Sequence, residues 1–177
     1  MNDTILNKKI SIERCIVQIE KYYAQPSDIP FHQNYLLQDA IAMNLQRIGE
    51  LAIDIANYVI KKKKLGLPQD SADAFVLLHS AGLISEELMR SMKGMVGFRN
   101  VLVHEYQKLD LAIMVKVIEQ HLYEPLELAN QALRIIGSFA RSQDTSLIII
   151  HKSSQARKAV ILAWMPAILI LGRSHEK

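Results

Sequence analysis

Apolar residues recur at three- and four-residue spacing along most of the chain, and that period predicts helices. Ile12, Ile16, Ile19 and Tyr23 form one stripe, so a helix is expected from about Ile5 to Ala24 with Thr4 as its cap. Cys15 lies beside this stripe and is expected to pack as a small hydrophobe. Pro26 and Pro30 break the pattern. A long helix then runs from about Phe31 to Lys62, with Leu37, Ile41, Leu45, Ile48, Leu51, Ile55 and Val59 in phase. Asp39 and Glu50 read as a solvated face of this helix. Asn44 lies on the stripe itself and calls for a buried hydrogen bond or a partner subunit.

Lys61 to Lys64 close the long helix. Four cations there complement the helix dipole, or they form a phosphate track. Gly66 and Pro68 end the element, and Asp70 or Ser71 is placed to cap a short helix from Ala72 to Ser80. After Gly82, Ser85-Glu86-Glu87-Leu88 starts a helix carrying Leu88, Met92, Met95, Val96 and Arg99. Its methionines are expected to fill core or interface, and Gly94 and Gly97 to permit a close approach by another helix or a ligand. From Asp110 onward, Leu111, Val115, Ile118 and Leu122 form a further stripe. Pro125 should kink or break it before Leu126, Ala129, Leu133 and Ile136 resume the period. The expected fold is all-α, an antiparallel helical bundle over residues 1–137. Residues 138–177 are an atypical C-terminal extension, with a short strand expected at Leu147 to Ile150 and an apolar run from Ala159 to Leu171. That run is shorter than the ~20 apolar residues that a membrane span needs, so no membrane is expected.

Composition narrows the class. Of 177 residues, 50% are hydrophobic and 22% charged, which suits one globular domain and excludes a disordered chain. The net charge of +3 and pI near 8.9 are compatible with RNA. One cysteine rules out a disulfide within the chain and fits a reducing cytoplasm, and Met1-Asn2-Asp3-Thr4 begins no secretory segment. No metal-ligand spacing is visible: His79, His104 and His121 lie far apart, and neither a metal nor a cofactor is expected.

Candidate chemistry gathers in Gly97-Phe98-Arg99-Asn100-Val101-Leu102-Val103-His104-Glu105-Tyr106. Arginine suits a phosphate, and histidine suits proton transfer near neutrality. On one straight helix Arg99 and His104 would point about 140° apart. Either the helix ends near His104, or two subunits combine their motifs in one cleft.

The segment from Arg99 to Tyr106 resembles the R-x4-H-x-Y motif of the HepT toxins, a branch of the HEPN ribonucleases. A second block, Gln38 to Glu50, resembles the D-A-x-x-x-N-L-x-x-I-G-E helix of the same family. Phe75, Leu77 and Leu78, then Met92, Val96, Phe98 and Arg99, fall in the family's order, and the resemblance covers about residues 5–137. It implies a homodimeric, metal-independent endoribonuclease toxin with Arg99 and His104 as catalytic residues, Asn100 as support and RNA as substrate. It also implies a nucleotidyltransferase antitoxin resembling MntA that transfers AMP to Tyr106 and neutralises the toxin. Glu105 reads as a solvated loop acid. A different outcome is a catalytically silent helical dimer that serves as a binding module for the nucleotidyltransferase.

Overall fold

The first helix, α1, spans Asp3–Tyr23 in the computed structural model, which describes residues 3–104 and 110–136. Asp3 opens it with an acid at the positive end of the dipole, and Thr4 lies inside the first turn rather than at the cap. Ile5, Ile12, Cys15, Ile16 and Ile19 are buried, as the stripe predicts. Burial raises the Cys15 thiol pKa, opposed by the positive charges of Arg47 and Arg14.

The long helix starts later than its apolar period suggests. Phe31–Gln33 form a 3-10 turn, and α2 runs Tyr35–Lys63. Asn34 causes the offset: its side-chain oxygen accepts from the Leu37 backbone N–H at 3.2 Å, so the helix begins after it. Gln38 is buried and donates to the Phe31 carbonyl at 2.7 Å, which ties the turn to the helix. Ile41, Leu45, Ile48 and Ile55 are fully buried on α2. Asn44 meets its requirement within its own helix, donating to the Ala40 carbonyl at 2.7 Å. Lys61, Lys62 and Lys63 occupy the last turn, and Lys64 closes the helix in the left-handed region at φ 54°.

Helix α3, Asp73–Ser80, is capped by Asp70, whose Oδ1 accepts from the Asp73 N–H at 2.7 Å. Asp73 reaches back in turn, its Oδ2 accepting from the Gln69 N–H at 2.9 Å. Helix α4, Glu86–His104, follows, with Ser85 Oγ accepting from the Leu88 N–H at 3.2 Å. Met92 and Met95 are core residues alongside Val96, Phe98 and Leu102. Among the described residues nothing stands where a Cβ of Gly94 or Gly97 would be; the close approach belongs to Gly49 of α2.

The expected break at Pro125 falls upstream of the proline. Helix α5 covers Leu111–Lys116, a π turn covers Val117–His121, and α6 covers Glu124–Ile136. Pro125 sits in the first turn of α6, where its missing N–H costs little, and the π turn absorbs the discontinuity. That extra residue per turn shifts the buried face to Met114, Val117, Ile118 and Leu122, leaving Leu111 and Val115 half-buried. Helix α2 packs against α1, α3, α4 and α6. The fold is all-α, with no strand among the described residues. Among those residues, no helix is long and apolar enough to cross a membrane. Glu105, Tyr106, the Leu147 to Ile150 strand and the Ala159 to Leu171 run lie outside the described residues.

Two tyrosine–carboxylate contacts join the end of α1 to the α5–α6 break. Tyr23 donates its hydroxyl to Glu119 at 2.9 Å, and Tyr123 donates to Glu20. Burial, then the hydrogen bond and the negative charge of Glu119, push the Tyr23 pKa up to about 12. A pKa raised on folding means stability that is complete below the unfolded value near 10 and lost as pH rises through the folded value. Tyr23→Phe is therefore expected to shrink the alkaline loss of stability between about pH 10 and pH 12, read by denaturant melts of both proteins across that range. The effect is moderated by the 36% exposure of Tyr23.

Candidate active site

The C-terminal two turns of α4 carry the motif, and α2 decides how its arginine is presented. Arg99 is half-buried against α2, while Asn100 and His104 are exposed. Gly49 makes room for the arginine stem: a Cβ there would stand 3.1 Å from Arg99 Cβ and 3.2 Å from Cγ. Arg99 Nη2 then donates to Glu50 Oε1 at 3.2 Å, and Arg99 Nη1 donates to Asn100 Oδ1 at 3.2 Å. Glu50 Oε1 also accepts from Gln46 Nε2 at 3.1 Å. Arg99 Nε is buried without a hydrogen-bond partner among the described residues.

Each Nη nitrogen carries two N–H groups, and one on each is engaged. The other N–H on each leaves the guanidinium with donors for phosphate oxygens. Glu50 therefore corrects the sequence reading. It is not simply a solvated acid, because 56% of its side chain is covered and it pairs with Arg99. The available signal was an acid directly after a glycine within an apolar helical stripe; only the position of α4 turns that into a contact.

His104 is the last described residue of α4, and whether the helix ends there lies outside the described residues. Five residues still separate it from Arg99 on a continuous helix, about 7.5 Å along the axis and 140° around it. The chain brings Arg99, Asn100, Glu50 and Gln46 together and sets His104 on a different side of α4. Tyr106 lies outside the described residues. Among the described residues no group of three His, Cys, Asp or Glu side chains is arranged to hold a metal.

A helical bundle that carries a half-buried arginine and, five residues on along the same helix, an exposed histidine has the architecture of a HEPN protein. The chain belongs to the HepT-like family, described as Ribonuclease HepT-like, which it matches over residues 12–135. It is 47% identical over 122 residues to the mRNA nuclease HepT of Shewanella oneidensis, covering 69% of this chain and 90% of that protein. It is 36% identical over 66 residues to the tRNA nuclease HepT of Aphanizomenon flos-aquae, covering 37% of this chain and 45% of that one. In structure it resembles the tri-AMPylated Shewanella oneidensis HEPN toxin in complex with MNT antitoxin, with a TM-score of 0.69 and 44% identity, covering 74% of this chain and 97% of that chain. A toxin–antitoxin complex with AMP-PNP superposes equally well, at a TM-score of 0.69 and 42% identity over 73% of this chain and 97% of that one.

Gly49→Ala tests the close approach. The substitution adds about 1 kcal/mol of helix propensity but drives a methyl into the Arg99 stem. The expected outcome is a melting temperature within about 5 °C of wild type together with a displaced Arg99–Glu50 pair. Thermal denaturation and a crystal structure of the variant check both halves.

Proposed function

We propose that this protein is the toxin of a type VII toxin–antitoxin system, a metal-independent endoribonuclease that acts in the cytoplasm. The observation that carries the reading is Arg99, anchored by Glu50 and Asn100 on the helix that also carries His104, in a chain of the HepT-like ribonuclease family. RNA supplies its own nucleophile, the 2′-hydroxyl. His104 takes its proton as the oxygen attacks the adjacent phosphorus. Arg99 stabilises the extra negative charge on the phosphorane oxygens, and Asn100 holds the arginine. A second proton donor, His104 of a second copy or a water, protonates the departing 5′-oxygen. The products are a 2′,3′-cyclic phosphate and a 5′-hydroxyl.

The divergence of Arg99 and His104 around α4 supports a homodimer in which the two motifs face one cleft. The family match, which stops at residue 135, supports a ribonuclease domain over residues 1–137 followed by a separate extension over residues 138–177. The likeness to an AMPylated toxin held by its antitoxin supports a nucleotidyltransferase partner of the MntA kind. In this reading the Tyr106 phenolic oxygen attacks the α-phosphorus of ATP and releases pyrophosphate. The resulting adenylate adds negative charge and bulk two residues from His104, where the RNA phosphate must sit.

Purified protein is expected to cleave RNA in excess EDTA, with a bell-shaped pH profile. His104→Ala and Arg99→Ala should each lower the rate by about 100-fold or more while leaving helicity unchanged. Cleavage assays with circular dichroism check this, and full activity of His104→Ala would sink the mechanism.

Co-expression with the partner should raise the intact mass in steps of about 329 Da, one AMP each, and silence the ribonuclease. Tyr106→Phe should still cleave RNA and escape silencing. Intact mass spectrometry and peptide mapping decide between Tyr106 and any other acceptor.

A further inference from the structure

The guanidinium of Arg99 is constrained from several directions, and three of the constraints come from one turn of α2. Glu50 Oε1 accepts from Nη2. Gln46, one turn earlier, donates to that same oxygen and so holds the carboxylate in place. Gly49 lies between them and lets the Arg99 stem rest against the helix. Asn100 engages Nη1 from the far side. Arg99 Nε is buried and has no hydrogen-bond partner among the described residues. Packing and the two Nη contacts, rather than Nε, therefore dictate where the group sits.

We propose that Gln46, Gly49 and Glu50 form a cradle that presets Arg99 for the scissile phosphate, with Glu50 as the positioning residue. The proposal rests on the ribonuclease reading above. Glu50 acts through Arg99 and does not transfer a proton: its Oε1 already accepts two hydrogen bonds, the work of an acceptor. Its benefit is directional. Removing it leaves the cation on α4 but lets the guanidinium swing away from the orientation that Glu50 and Asn100 hold. Catalysis is sensitive to such displacement, whereas simple attraction of RNA to the cation is not.

The test uses the full chain and an RNA oligonucleotide, with Glu50→Ala and Glu50→Gln each made in the wild-type and Arg99→Ala backgrounds. Glu50→Ala should lower kcat on the order of 10- to 100-fold and change KM by less than about 2-fold. Glu50→Gln keeps an acceptor oxygen at the same reach and should retain most of the rate. In the Arg99→Ala background, Glu50→Ala should lower the residual rate by less than about 2-fold, because the pair acts as a unit. A readout independent of turnover is rotation about the Arg99 Cζ–Nε bond, followed by NMR of arginine-labelled protein. It should be slow in wild type and fast in Glu50→Ala. Wild-type kcat in Glu50→Ala, equal losses in both backgrounds, or free rotation in wild type would each overturn the cradle. Full cleavage by Arg99→Ala would overturn the ribonuclease site itself and the cradle with it. An inactive Arg99→Ala beside a fully active Glu50→Ala overturns the cradle alone.

Discussion

Helix α2 must satisfy two demands along 29 residues. It supplies Ile41, Leu45, Ile48, Ile55 and Ala56 to the core, each with no exposed surface, and α1, α3, α4 and α6 all pack on it. Burying a large aliphatic side chain contributes about 1.5–3 kcal/mol, so this one helix gathers much of the apolar stabilisation. Yet one turn of it carries Gln46, Glu50 and a glycine where α4 crosses. A wholly apolar α2 would pack as well and leave Arg99 without its partner. The structure accepts a polar turn in its central helix, and the arginine on α4 is ordered as a result.

Much of this was legible in the residues. The stripes located α1 and α4, and the polar residues Asp70 and Ser85 lie just ahead of α3 and α4 and bond their first turns. The apolar period carried straight through Phe31, so only the Asn34 side chain, bonded to Leu37, reveals the later start of α2. Periodicity was equally blind to the π turn at Val117–His121, because one added residue changes the phase without changing the composition. The proline was seen, but its tolerance in the first turn of a helix moved the break upstream.

Arg99, Asn100 and His104 stood out in the sequence by residue type, and the divergence of Arg99 and His104 followed from helix geometry alone. Glu50 was not legible in the same way. Which face of a helix is solvated depends on what packs beside it, and Glu50 lies 49 positions away from Arg99 in sequence. The glycines show the same limit. Gly94 and Gly97 stand in the motif helix and meet nothing among the described residues, whereas Gly49, on the helix opposite, has Arg99 against it.

Arg99 and His104 stand five residues apart on one uninterrupted helix, an interval that sends side chains to different sides. On the dimeric reading, that interval makes cleavage depend on how much protein is present. A newly made chain with no second copy nearby holds half of a catalytic set. Competence then rises with the square of the protomer concentration while copies are scarce, and levels off once pairing is complete. A few stray molecules would be harmless to the cell that makes them, and a threshold in expression would separate silence from damage before any antitoxin intervenes.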